Sequence, residues 1–221
     1  NSSFVFNTNS SIKTVKYNSM GDSLWVKTYI PPQYTPTAID LQLDISGNIY
    51  IVGLIATSST LEDIALIKYS SAGNLLWSAS YNNPSNTEDW AASMDIDPSG
   101  NIIITGMSKI GVVNKQMTLK FSASGTLLWS KIFNPFNSTD VISRDVKTDN
   151  LLNIYVTGYY SNIFSQSFTT LIKYNQNGDS IWVKHSLPGE PFKMELDKNG
   201  NPVIAGFTSS ASIDYSIFKY S

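Results

Sequence analysis

Four copies of one phrase are written into this chain, and their spacing constrains the fold more than any other feature. KYNSMGDSLW (16–25), KYSSAGNLLW (68–77), KFSASGTLLW (120–129) and KYNQNGDSIW (173–182) place tryptophans at 25, 77, 129 and 182. The steps are 52, 52 and 53 residues. A fixed period of this size marks a repeat architecture, in which neighbouring units share one continuous core. The 221 residues therefore read as one domain, residues 1–221, built of repeats of about 52.

Each period holds four short apolar runs separated by turn signals, a strand spacing and not a helical one. In the first complete period these are residues 39–44 (a), 48–53 (b), 64–69 (c) and 75–81 (d). Asp-x-x-Gly-Asn joins a to b at Asp44, Asp97 and Asp197. The carboxylate of Asp can accept turn N–H bonds, and Gly supplies positive φ. Gly21, Gly73, Gly125 and Gly178 serve the c–d link in the same way, so both links read as hairpins of three to five residues. Strand b is apolar on both faces, as in Ile102-Ile103-Ile104 and Ile154-Tyr155-Val156. Such a strand must be covered on both sides. Stacked blades of a β-propeller provide that cover, whereas a sandwich leaves one face wet. The expected fold class is all-β, a propeller of four-stranded antiparallel blades.

The pattern Φ-x-Φ-D-x-x-G-N-Φ-Φ-Φ-x-G, then a Ser/Thr loop and Φ-x-K-Y-x-x-x-G-x-Φ-x-W, resembles the bacterial SBBP-type β-propeller repeat. It is also similar to NHL-type propeller repeats. The resemblance runs from about Ile12 to Tyr220. It implies a secreted or cell-surface bacterial protein and no single activity, since such folds host many functions. Two departures stand out. The third copy reads Asp149-Asn150-Leu151-Leu152-Asn153, without the glycine and with an expected change of turn length and geometry. The ends are also out of phase. Phe4 to Ser11 reads as the end of a strand b, and the count is b-c-d, three times a-b-c-d, then a-b-c. This arithmetic fits five blades with incomplete ends, a four-bladed ring with an overhang, or part of a larger ring. Incomplete blades expose edges that need covering, by further blades or by a second copy of the chain.

Composition narrows function by exclusion. Charged residues make up 14%, against about 25% in an average domain, and the net charge is -2. Arg144 is the only arginine, and lysine mostly recurs with the repeat instead of collecting in a patch. Nothing here would condense onto nucleic acid. With no cysteine there are no disulfides or thiolate sites. No run of about 18 apolar residues inserts into a membrane. The opening Asn-Ser-Ser-Phe-Val-Phe lacks the basic-then-apolar pattern of a signal peptide and reads as a mature, processed or partial chain.

Candidate chemistry is sparse. His185, the single histidine, sits beside Ser186 on a strand, and adjacent strand residues point to opposite faces, so the two form no dyad. The recurring aspartates are explained by turns, and Asp-x-Asp-x-Asp-Gly calcium spacing is absent. No metal or cofactor is expected. Strand a should run closest to the axis, where Asp40, Gln42, Ser93, Asp95, Lys193 and Glu195 would form a solvated lining. Asp95, Asp145 and Glu195 would be the acids of a polysaccharide hydrolase or lyase, the alternative to a binding module. The periodic tryptophans read as packing residues. Trp90 breaks the period and reads as lying in a polar loop before strand a. It joins Tyr34, Phe136 and Phe164, on the variable d–a and b–c loops, as the expected contact surface for protein or glycan. The leading reading is a non-catalytic extracellular binding, adhesion or assembly module. A structural subunit of a surface layer or filament is a third.

Overall fold

The isoleucine-rich b segments form the strands with the deepest burial, as their two apolar faces require. The computed structural model describes residues 11–31, 35–56, 61–135, 138–164, 166–209 and 213–219. The first unit contains β1 (Ile12–Tyr17) and β2 (Ser23–Tyr29), strands c and d. The second is a four-stranded sheet of β3 (Thr35–Leu43), β4 (Ile49–Ala56), β5 (Asp63–Tyr69) and β6 (Leu75–Tyr81). The third contains β7 (Asp89–Ile96), β8 (Ile102–Ile110), β9 (Val113–Phe121) and β10 (Leu127–Phe133). The fourth starts with β11 (Ser138–Thr148), β12 (Ile154–Asn162) and β13 (Ser167–Tyr174).

The 17-residue β14 (Ser180–Leu196) is d of the fourth unit along its first part and a of the fifth along its second. The fifth continues with β15 (Pro202–Ser209) and β16 (Ile213–Lys219), and the whole makes one sheet ordered β11 to β16. All pairings are antiparallel. Five blades are thus present, the outer ones incomplete among the described residues. The strand b expected near residues 4–11 lies outside them except for its last residue.

Apolar clusters fill each junction between consecutive blades. Ile12, Ile51 and Ile67 join blades 1 and 2; Val52, Leu66, Ile104 and Leu119 join 2 and 3. Ile103, Val146 and Ile172 join 3 and 4; Leu171, Met194 and Ile204 join 4 and 5. Ile102, Ile103 and Ile104 are all fully buried, which is possible only because neighbouring side chains of one strand serve opposite junctions.

The repeated phrase is an inter-blade latch. Trp25, Trp77 and Trp129 donate their indole N–H to the carbonyls of Ser71, Ala123 and Gln176, at 3.4, 3.2 and 3.1 Å. Each acceptor lies two residues before the c–d glycine of the next blade. Lys16, Lys68 and Lys120 donate to the same three carbonyls at 2.9, 3.5 and 3.4 Å. The receiving glycine has two reasons to be glycine. Gly125 has φ of 84°, and a Cβ there would stand 3.0 Å from the Trp77 ring.

The a–b turns form as the sequence indicates. Asp44 Oδ1 accepts the N–H of Ser46 and Asn48, each at 2.9 Å, while Asn48 Nδ2 donates to Oδ2 at 2.8 Å. The 149–153 turn corrects the expectation for the third copy. Its length is unchanged, and Asp149 Oδ1 accepts from Leu151 and Asn153 at 2.8 and 2.9 Å. Leu152 occupies the glycine position with φ of 65°, a left-handed conformation that a bulky side chain tolerates only because the Asp149 bonds hold the turn.

A feature of strand a escapes the sequence pattern. Every copy carries a β-bulge, between Ala38 and Asp40, Ala91 and Ser93, Ser143 and Asp145, and Pro191 and Lys193. Opposite it stands the last glycine of the b motif (Gly53, Gly106, Gly158 or Gly206), where a Cβ would overlap the carbonyl oxygen of Thr37, Trp90, Ile142 or Glu190. These glycines are required by close approach of the bulged backbone.

Candidate functional site

Antiparallel order sends every d–a and b–c loop to one end of the array and every a–b and c–d turn to the other. The turn end repeats with the period. The loop end is where the copies differ.

Trp90 lies at this loop end but inside strand β7, not in the loop before it, and is 42% exposed. Its backbone is fixed by pairing with Met107 and by the bulge. The preceding loop is held from below by the buried Asp89, which accepts the N–H of Asn83 at 2.7 Å and its Nδ2 at 3.0 Å. Burial raises the pKa of Asp89, partly offset by the Ser108 side chain and by the bonds from Asn83. Burial also pushes Asp63 up to about 6, with a further contribution from the charge of Asp89. Phe164, 75% exposed, tips the turn between β12 and β13, where Asn162 Oδ1 accepts the N–H of Phe164 and Gln166 at 2.9 and 3.0 Å. Topology places Trp90 and Phe164 at the same end on neighbouring blades. Tyr34 and Phe136 lie outside the described residues.

A polar group that the sequence reading did not assemble occupies the loop end between blades 4 and 5. Arg144 is the extra residue of the β11 bulge. Its Nη2 lies 3.4 Å from Glu190 Oε2, and its guanidinium sits 5.2 Å from the centre of the Tyr159 ring. Ser167 Oγ donates to the other Glu190 oxygen at 3.5 Å. Burial raises the Tyr159 pKa, with Glu190 adding to it and Arg144 opposing. The buried Arg144 Nε–H has no hydrogen-bond partner. That Arg144 is the single arginine was the only signal available, and its partner lies 46 residues away. His185 is exposed on the outer strand, with its ring 5.5 Å from that of Tyr160.

The axial acids are engaged in joining blades. Asp40 Oδ2 accepts the Met94 N–H at 2.9 Å and the Ser93 hydroxyl at 3.3 Å. The same hydroxyl proton is shared with Asp145 Oδ1, the nearer acceptor at 2.7 Å, and Asp145 Oδ2 accepts the Met194 N–H at 2.9 Å. This hydrogen-bonded belt crosses blades 2 to 5. Ser93 and Asp145 are thus both buried, which corrects the solvated-lining expectation for Ser93. Asp95 Oδ2 accepts both the N–H and hydroxyl of Thr148, at 2.7 and 2.8 Å, while burial raises its pKa against those bonds. Lys147 ion-pairs with Glu195 at 2.9 Å. Burial pulls the Lys147 pKa down, but Glu195, Asp145 and Asp95 together outweigh it and raise it. Of the three acids of the hydrolase alternative, Glu195 is thus ion-paired with Lys147, while Asp95 and Asp145 are already committed to the next blade. Among the described residues no cluster of three His, Cys, Asp or Glu side chains suits a metal ion, and no helix is long and apolar enough to cross a membrane.

Solved structures share the blade arrangement. The Hadza microbial sialidase Hz136 superposes with TM-score 0.58 at 10% identity, covering 84% of this chain and 43% of the sialidase. A protein of unknown function from Dyadobacter fermentans gives 0.54 at 10% identity, over 94% of this chain and 68% of that one. The blades are those of a β-propeller. A putative gluconolactonase adds a further propeller likeness, with TM-score 0.50, 11% identity, and coverage of 96% of this chain and 74% of its own. At these identities the likeness concerns the propeller fold alone. No family model matches the chain. In sequence, 128 residues are 29% identical to an uncharacterized WD repeat-containing protein, L264, of Acanthamoeba polyphaga mimivirus. The match takes in 47% of this propeller chain and 9% of the viral protein. The chain therefore spans well under two thirds of either the viral protein or the sialidase.

Proposed function

We propose that this propeller is a binding module of the SBBP-type repeat family, displayed outside the cell, whose loop end engages glycan or protein partners. The observation that carries the reading is the division of labour between the two ends. Regular turns, latches and axial acids are used up in joining blades. The loop end keeps exposed Trp90 and Phe164 and the Arg144–Glu190–Tyr159 group on a rigid frame. Aromatic rings with a few fixed polar groups suit weakly charged ligand surfaces.

Titration with a panel of neutral oligosaccharides, followed by tryptophan fluorescence and calorimetry, tests this. Trp90→Ala is expected to weaken binding of any ligand found by about tenfold, equivalent to about 1.4 kcal/mol. A ligand bound by Trp90→Ala and by Phe164→Ala as tightly as by the wild type would contradict the assignment. The sialidase and gluconolactonase likenesses motivate a second arm. Release of reducing sugar that disappears in Asp95→Asn would replace the binding reading with the hydrolase one.

A further inference from the structure

The junction between blades 3 and 4 differs from its neighbour by a one-for-one exchange of apolar for polar side chains. Residues directly opposite on paired strands share a face, so register identifies the equivalents. Facing one another between blades 2 and 3 are Ile64 (opposite Leu54), Leu66 (opposite Val52), Ala91 and Met117 (both opposite Gly106). All four are buried and apolar, and they belong to one packed cluster. The same four places between blades 3 and 4 hold Gln116 (opposite Met107), Thr118 (opposite Thr105), Ser143 and Thr170 (both opposite Gly158). These are 0%, 1%, 1% and 0% exposed.

Five side-chain atoms of this layer have no hydrogen-bond partner: Gln116 Nε2 and Oε1, Thr118 Oγ1, Ser143 Oγ and Thr170 Oγ1. Burial pushes the pKa of Tyr174 up to about 12, with Thr118 opposing it, and the Thr118 hydroxyl itself has no hydrogen-bond partner. Each buried polar group left unpaired costs about 1–3 kcal/mol. Five together would consume most of the 5–15 kcal/mol that holds a domain folded. The chain tolerates them only if something small supplies the missing bonds.

We propose that the layer binds a small cluster of internal water molecules, making this a wet seam beside a dry one. The chemistry selects water. An amide with donors and acceptor beside three hydroxyls, all neutral and converging from two faces, provides the two to four polar partners an internal water needs. A cation would demand carboxylate oxygens, and the nearby Asp145 is already committed to Ser93, Val146 and Met194. The apolar cluster of Ile103, Val146, Val156 and Ile172 closes the seam toward the turn end.

A crystal structure of the whole chain, at a resolution that orders solvent, tests the proposal on the wild-type protein. At least two ordered waters within hydrogen-bond distance of Gln116, one of them shared with Ser143, Thr118 or Thr170, are expected, with none between Ile64, Leu66, Ala91 and Met117. Absence of ordered solvent at Gln116 would overturn it, whether the amide were then paired with protein or not.

Discussion

Lys120→Met is expected to lower the unfolding free energy by about 3 kcal/mol, the low end for breaking a buried ion pair. Lys120 Nζ lies 2.9 Å from Asp97 Oδ2, with the two side chains 4% and 0% exposed. Removing the ammonium leaves a charged carboxylate with no route to water. The low end applies because Asp97 keeps its turn bonds from Ser99 and from Asn101. The substitution also removes the bond from Nζ to Gln176 on the next blade. Lys68→Met is the internal comparison. That pair is 3.9 Å apart, and the Tyr50 hydroxyl also bonds Asp44, so a loss of about 1 kcal/mol is expected. Urea unfolding of both variants measures the difference, and equal losses would show that the burial of Asp97 does not matter.

Gly106→Ala is expected to be as damaging, at about 3 kcal/mol, the upper range for overpacking. The obstruction is backbone: the new Cβ would overlap the Trp90 carbonyl oxygen and stand 3.0 Å from the Ala91 Cα. Neither atom can retreat without undoing the bulge that aims Ser93 at Asp145. Gly111→Ala separates this from ordinary glycine chemistry. Gly111 has φ of 68° but open space around it, so its cost should stay near 1 kcal/mol, that of a left-handed alanine. Chemical denaturation of the two variants side by side reads the contrast. Similar losses would remove close approach as the reason for the strand b glycines.

The blades were legible in the sequence because hairpins and double-faced b strands are local patterns, and four copies reinforce one another. The tryptophans were legible as packing residues, but not as donors, because their acceptor carbonyls lie 46 or 47 residues away on the next blade. The bulges were hidden for a different reason. Their extra residues are Ile39, Ala92, Arg144 and Phe192, which share no side-chain chemistry, since a bulge is a backbone event. The loop end was obscured as well: strand β7 starts early enough to include Trp90, and the β11 bulge sets Arg144 against Glu190. The 149–153 turn misled in the opposite direction, since its sequence departs from the repeat while its geometry does not. Asp149 supplies enough bonds to impose the turn on Leu152.

As latches between blades, the repeated phrases leave the irregular loop end for the proposed recognition. Hydrogen exchange of the five indole N–H groups, resolved by nitrogen-15 NMR on the intact chain, tests this most directly. Trp77 and Trp129, bonded at 3.2 and 3.1 Å, are expected to exchange distinctly more slowly than the exposed Trp90, with the longer Trp25 bond between. Exchange of Trp77 and Trp129 at the rate of Trp90 would contradict the latch.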